Sequence, residues 1–194
     1  MAPEFSFSKK KLFVKIEKWL TKNATSEVFC VSNSEKLEAL KSEVGDPEKF
    51  KVIYNGLPEI DLPSKRDVRE ALALPEQAFI IGNNSRLTDQ KDPFLFIEIA
   101  KKVVLKYPSV LFVWAGDGPL ELIIKKKIDE YNLNNNVILL GFRSDSEKIV
   151  VAYDLFLLTS QYEGLPYAPI EALRAKVPVV ATSVPGDTEA VSYT

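Results

Sequence analysis

Two glutamates, Glu163 and Glu171, have seven residues between them in QYEGLPYAPIEALRA (161–175), a run that follows an apolar β-like segment and opens a helix-like one. Glu163, Gly164 and Leu165 read as the turn. Pro166 suits the first helical position, where no amide donor is needed. The unpaired amides of the first turn and the helix dipole would then make an anion site. Glu171 lies about five residues into the helix, roughly 7–8 Å along the axis from the turn. Two carboxylates flanking an anion site at that span suit a long ligand: one could hold a sugar hydroxyl on one side of a diphosphate, the other a ribose hydroxyl beyond it. They are too far apart for a retaining glycosidase pair, which needs about 5–5.5 Å. Taken alone, the same two residues read more readily as a helix cap and a surface glutamate.

Three further loops carry candidate chemistry. In NNSRLTDQKDP (83–93), Arg86 and Lys91 could neutralise a diphosphate and stabilise it as a leaving group, the arginine by its fork and the lysine as a point charge. In AGDGP (115–119), Gly116 and Gly118 permit tight turns and close backbone approach, although the spacing is neither a dinucleotide fingerprint nor a Walker loop. In LLGFRSD (139–145), Phe142 and Arg143 could flank a nucleobase through stacking and backbone contacts. Each loop taken singly also reads as an ordinary connection.

The elements that position these loops are legible from periodicity. Near-continuous apolar runs at 79–84, 110–116, 136–141, 155–160 and 177–182 read as strands buried on both faces. Helix-like stretches at about 92–107, 118–132, 145–152 and 166–176 alternate with them. The first illustrates the warrant: Asp92 as N-cap, Pro93 in the first turn, Phe94, Ile97, Ala100, Val104 and Tyr107 at helical spacing, then Pro108 as terminator. Strand and helix in strict alternation predict an α/β fold with a doubly wound, Rossmann-like parallel sheet. Ligands of such sheets bind beyond the carboxyl ends of the strands, where every candidate loop lies.

Composition narrows the functions. There are 25 basic and 27 acidic residues, a formal charge of −2, so the chain lacks the basic field of a dedicated nucleic-acid binder. There is no histidine, which removes Ser-His-Asp and Cys-His nucleophilic systems and the commonest metal ligand. The single cysteine, Cys30, cannot form an internal disulfide, and its apolar setting in VFCV predicts a buried structural thiol. No apolar stretch approaches the roughly 20 residues of a membrane span, and the basic residues near the start follow the apolar ones, unlike a signal peptide.

Residues 1–65 read differently from residues 66–194. KLFVKIEKWLTKN is an amphipathic helix, SEVFCVSN a strand, SEKLEALKSEV a second helix, and KVIYNGLPEIDLPSKRD a strand running into a proline-rich linker. They make a poor core of their own and look like the tail of a preceding domain. At the other end, SVPGDTEAVSYT follows the last apolar run without a further strand, so the nucleotide-binding domain of residues 66–194 is expected to be incomplete at its C-terminus.

Taken in order, EKWLTKNATSEVFCVSNSEKLEAL, KVIYNGLP, SRLTDQKDP, AGDGPLE, VILLGF and DLFLLTSQYEGLPYAPIEALRAKVPVVATSVPG resemble the retaining glycosyltransferases of family 4, also called group 1, which have the GT-B fold. The resemblance spans about residues 10–190 and implies the C-terminal half of a GT-B architecture, truncated at both ends. It implies that Arg86 and Lys91 bind the diphosphate of a nucleotide-sugar donor and that Glu163, with Gly164 and Leu165 nearby, contacts the transferred sugar. It further implies that Glu171 binds the ribose, that Phe142 and Arg143 hold the base, and that Gly116 and Gly118 line the donor site. No metal or other cofactor is expected. The partner is an acceptor domain that residues 1–65 represent only by its tail, and the setting is cytoplasmic, peripheral to the inner face of a membrane in the full-length protein. Pro185 stands where this family commonly has a second glycine. Alternatives are a GT-B nucleotide-sugar epimerase, which the lack of histidine disfavours, and a non-catalytic nucleotide-binding or interaction fragment. The orphan N-terminal segment could also pair with a second copy.

Overall fold

The computed structural model describes residues 7–184 and 189–190. Its elements in chain order are α1 (Phe7–Asn23), β1 (Val28–Cys30), α2 (Asn33–Lys41), β2 (Phe50–Val52), α3 (Lys65–Ala71), β3 (Ile80–Asn84), α4 (Pro93–Lys106), β4 (Leu111–Ala115), α5 (Glu121–Glu130), β5 (Val137–Gly141), α6 (Ser146–Ile149), β6 (Leu155–Leu158), α7 (Tyr167–Arg174) and β7 (Val179–Ala181). The expectation concerning Pro185 lies outside the described residues.

The five apolar runs form one all-parallel sheet of order β5-β4-β3-β6-β7. The chain winds outward from β3 through β4 to β5, then returns to the other side of β3 as β6. The order therefore reverses between β3 and β6, and the crevice for a ligand opens where their loops diverge.

Alternating side chains leave the sheet on opposite faces. Ile81, Phe112, Trp114 and Leu157 pack with Phe96, Ile97 and Ala100 of α4 and Ile124 and Ile128 of α5. Ile80, Val113, Phe156 and Leu158 pack on the other face with Val68 of α3, Ile149 of α6 and Ala172 of α7. Both faces are covered, which is why the strands read as unbroken apolar runs.

Several local expectations are corrected. Phe96, absent from the expected stripe of α4, is fully buried and meets Phe112 and Trp114 edge-on at 5.4 and 4.9 Å, whereas Tyr107 is exposed. Asp92 caps α4 through a bond from the Leu95 amide, but it does so from a left-handed conformation. The stretch expected at 145–152 is α6 followed by a 3-10 turn at Val150–Ala152. Pro166 is the N-cap of α7, one position before the expected N1. α3 has no counterpart in the sequence reading; its signal is Ser64 three residues before Asp67, and the Ser64 hydroxyl does accept the Asp67 amide.

Beneath the amino ends of the strands, Arg69 is buried at 4 % exposure. It donates to the carbonyls of Ala152, Glu76 and Ala78 and to Asp154, which also takes the Ile80 amide and Lys65. This network ties α3 to the sheet. In the N-terminal part, β1 and β2 form a separate two-stranded parallel sheet against α2. Cys30 is buried there, and burial, then the nearby Glu35 carboxylate, raises its thiol pKa.

Candidate functional site

The loop after β3 and the loop after β6 are stitched together. The Gln161 amide donates to the Gln90 carbonyl at 2.8 Å, Gln90 Nε2 to the Tyr162 carbonyl at 3.1 Å, and Thr159 Oγ1 to the Lys91 carbonyl at 2.8 Å. Across this seam Lys91 Nζ meets Glu163 Oε1 in an ion pair whose side chains are 16 % and 6 % exposed. Ser160 Oγ donates to the same carboxylate oxygen at 2.5 Å. Two residues 72 positions apart are thus brought together at the reversal of strand order.

Arg86 occupies the same sheet edge but is held differently. The loop carrying it lies against the turn after β4: the Leu87 amide donates to the Asp117 carbonyl at 2.8 Å, the Leu120 amide to the Leu87 carbonyl at 3.1 Å, and Trp114 Nε1 to the Ser85 carbonyl at 2.7 Å. The glycines permit this contact. Gly116 has φ +144°, and a Cβ there would sit 2.0 Å from the Ser85 carbonyl oxygen; one on Gly118 would sit 2.4 Å from that of Leu87. Only glycine tolerates such an approach. The Arg86 side chain is exposed and has no hydrogen-bond or ion-pair partner among the described residues. Of the two expected cations, one is spent internally on Glu163 and the other is open.

The remaining expected residues are spread along the same rim. Leu165 is buried, and its carbonyl accepts from Asn55 Nδ2 at 2.7 Å; a Cβ on Gly164 would touch Val31 at 3.3 Å. No side chain caps α7, so the amides of Tyr167 and Ala168 in its first turn have no side-chain acceptor among the described residues, and Pro169 has no N–H to offer. Glu171 is half-buried on α7, and its pKa is raised by burial and then by the Glu147 carboxylate, against the pull of Arg174. Arg174 in turn donates to Glu147 at 3.3 Å, linking α7 to α6. Phe142, 72 % exposed, follows Gly141 at φ +67°. The Arg143 guanidinium makes two 2.9 Å bonds to Asp145, which raises its own pKa and lowers that of the aspartate.

Sequence reasoning passed over the buried polar residues beneath this rim. Asn83, Asn84, Thr159 and Ser160 are each under 9 % exposed, at the carboxyl ends of β3 and β6. Asn83 Nδ2 donates to the Leu157 carbonyl; Asn84 accepts from the Tyr153 hydroxyl and donates to the Ser146 carbonyl. Thr88 Oγ1, between Arg86 and Lys91, is buried without a partner among the described residues. The available signal was polar pairs, Asn83–Asn84 and Thr159–Ser160, closing apolar runs of a sheet that is buried on both faces. Among the described residues no group of three or more His, Cys, Asp or Glu side chains is placed to hold a metal ion, and no helix is long and apolar enough to cross a membrane.

Residues 64–193 match the family model of the group 1 glycosyl transferases. The chain is 33 % identical, over 94 % of its length, to the UDP-Gal:alpha-D-GlcNAc-diphosphoundecaprenol alpha-1,3-galactosyltransferase of Escherichia coli, of which it spans 50 %. It is 32 % identical, over 89 % of its length, to the poly(ribitol-phosphate) alpha-N-acetylglucosaminyltransferase of Staphylococcus aureus strain COL, of which it spans 33 %. In three dimensions it is similar to Anabaena Alr3699/HepE in complex with UDP and glucose, with a TM-score of 0.82, 27 % identity, and coverage of 97 % of this chain and 52 % of that one. WaaG, a glycosyltransferase involved in lipopolysaccharide biosynthesis, shares the fold at a TM-score of 0.82 and 19 % identity, with coverage of 98 % of this chain and 54 % of that one.

Proposed function

The chain belongs to the group 1 glycosyl transferases, and from that membership we propose that it is the donor-binding half of a retaining hexosyltransferase that uses a UDP- or GDP-sugar. The observation that carries this reading is the Lys91–Glu163 contact, which puts a cation, a carboxylate and the uncapped start of α7 at one point of the sheet edge. A nucleoside diphosphate laid there would meet Arg86 and the α7 amides with its phosphates, and Lys91 once the ion pair is shared. Positive charge at these groups would stabilise the departing diphosphate, and that leaving group would activate the acceptor hydroxyl. Glu163 would accept a hydroxyl of the transferred sugar and Glu171 the ribose hydroxyls. The base would lie near Phe142.

The reading invokes no metal, because Arg86, the α7 amides and Lys91, once the ion pair is shared, would neutralise the leaving group. The acceptor, a glycan or lipid, would be held by a further domain against which residues 1–65 pack, in keeping with relatives two to three times as long. The exposed apolar stripe of α1, Leu12, Ile16 and Trp19, offers a surface for that packing.

Calorimetry of the chain with UDP and with GDP tests the reading; binding of at least one is expected, and no heat with either at millimolar ligand would overturn it. Glu171→Ala is expected to weaken the nucleoside diphosphate and leave inorganic pyrophosphate unaffected.

A further inference from the structure

Glu163 has two carboxylate oxygens, and the structure treats them unequally. Oε1 receives both the Lys91 ammonium and the Ser160 hydroxyl. Oε2 has no partner among the described residues and is not sealed from solvent. The carboxylate cannot rotate to exchange the two without breaking both bonds. Lys91 alone would not enforce this, since a lysine is a long, flexible point charge that follows either oxygen. Ser160 can enforce it. It is 1 % exposed and reaches Glu163 from three residues away. Its backbone is pinned from both sides, with Thr182 Oγ1 donating to its carbonyl at 2.6 Å and the Gln161 amide beside it donating to the Gln90 carbonyl at 2.8 Å. A buried hydroxyl whose position is set by two neighbouring strands is a stiff reference point for a carboxylate on a turn.

We propose that Ser160 is a positioning residue: by occupying Oε1 of Glu163 it presents Oε2 as the single acceptor for a hydroxyl of the transferred sugar. The inference rests on the nucleotide-sugar reading and extends it. Ser160 touches no ligand itself. Its effect falls chiefly on the sugar, because the phosphates and the nucleoside are assigned to Arg86, Lys91, the α7 amides, Glu171 and the loop at Phe142, and the Ser160 hydroxyl bonds none of these but only Glu163.

That selectivity defines the experiment. Affinities of the chain for UDP-glucose, UDP-galactose, UDP-N-acetylglucosamine and GDP-mannose are each measured against the parent UDP or GDP, and the ratio reports what the sugar contributes. Ser160→Ala is expected to shrink the best ratio by about fivefold to tenfold, as for loss of one charge-assisted hydrogen bond, and to leave UDP or GDP within about twofold. Ser160→Thr, which keeps the hydroxyl, restores the ratio. Ser160→Cys, a near-isostere with a weak donor, gives an intermediate value and serves if the alanine variant does not fold. A ratio unchanged in the alanine or cysteine variant overturns the proposal, and so does an equal loss of UDP and UDP-sugar. Wild-type chain that binds UDP or GDP without any gain from the sugars also overturns it, while sparing the donor-site reading. Wild-type chain that binds no nucleotide removes both.

Discussion

The side-chain amide of Asn55 donates to the carbonyl of Leu165 at 2.7 Å, joining positions 110 residues apart. Asn55 Oδ1 in turn accepts from the Tyr167 hydroxyl at 3.2 Å. One side chain on the segment after β2 therefore grips both ends of the turn between Glu163 and α7. Asn55→Ala would leave that carbonyl and hydroxyl to water and loosen the turn. The expected cost in urea denaturation is about 1 kcal/mol, with weaker binding of UDP or GDP in the same variant. Unchanged binding would show that the turn holds its shape without the grip.

Arg86 and Lys91 should separate cleanly in stability measurements. Lys91→Met leaves a carboxylate at 6 % exposure beside a lost cation and is expected to cost about 3 kcal/mol. Adding Glu163→Gln should recover most of that loss, because the uncompensated charge goes with it. Arg86→Met, at an exposed side chain, should leave stability within about 0.5 kcal/mol while weakening UDP or GDP. Denaturant midpoints of the three variants decide the matter.

The glycines offer a graded test. Gly116→Ala combines a positive φ with a 2.0 Å collision against backbone, whereas at Gly141, with φ +67°, nothing lies within 4 Å of the new Cβ. Gly141→Ala should cost about 1 kcal/mol from backbone strain alone. Gly116→Ala should cost at least about 3 kcal/mol and displace the Arg86 loop. Equal midpoints would mean that the close approach of the two loops is not needed.

Acid stability should depend on Glu189. Burial works against its ionisation. The amides of Asn33 and Ser34, the Ser34 hydroxyl and Tyr54 outweigh it and hold the pKa at about 2, against an ordinary 4.5. A depressed carboxylate pKa means that the unfolded chain binds the proton more readily, so the stabilisation is full above about pH 4.5 and is lost as pH falls toward 2. Glu189→Gln should lower stability at pH 7 and flatten the decline between pH 4.5 and 2. A wild-type decline of the same slope in the variant would assign the acid limb to other groups, such as Asp154. Burial opposes ionisation there too, but Lys65, the Ile80 amide and Arg69 prevail.

The stripe on α1 predicts self-association of the chain in isolation. Leu12, Phe13, Ile16, Trp19 and Leu20 are each more than a third exposed and fall on one helical face. Light scattering should show a concentration-dependent rise in mass that Trp19→Lys with Phe13→Lys removes. A monodisperse monomer at high concentration would dispose of the idea.

The amino-acid sequence alone determined the layered α/β plan, the five strands to within a few residues, and the placing of the Arg86–Lys91 and Glu163–Leu165 loops at strand ends. Those follow from apolar periodicity and from Asp, Pro and Gly punctuation, which act over a few residues and are written locally. Only the tertiary structure decided that Lys91 and Glu163 are partners, because their meeting depends on β6 returning to the far side of β3. The assignment of Oε1 to Ser160, the Asn55 grip and the capture of Arg143 by Asp145 are likewise matters of distances that composition and spacing do not encode. The first is a contact within one turn whose backbone is held by the loops on either side, and the second joins segments 110 residues apart. The third is a choice among staggered rotamers that only packing makes.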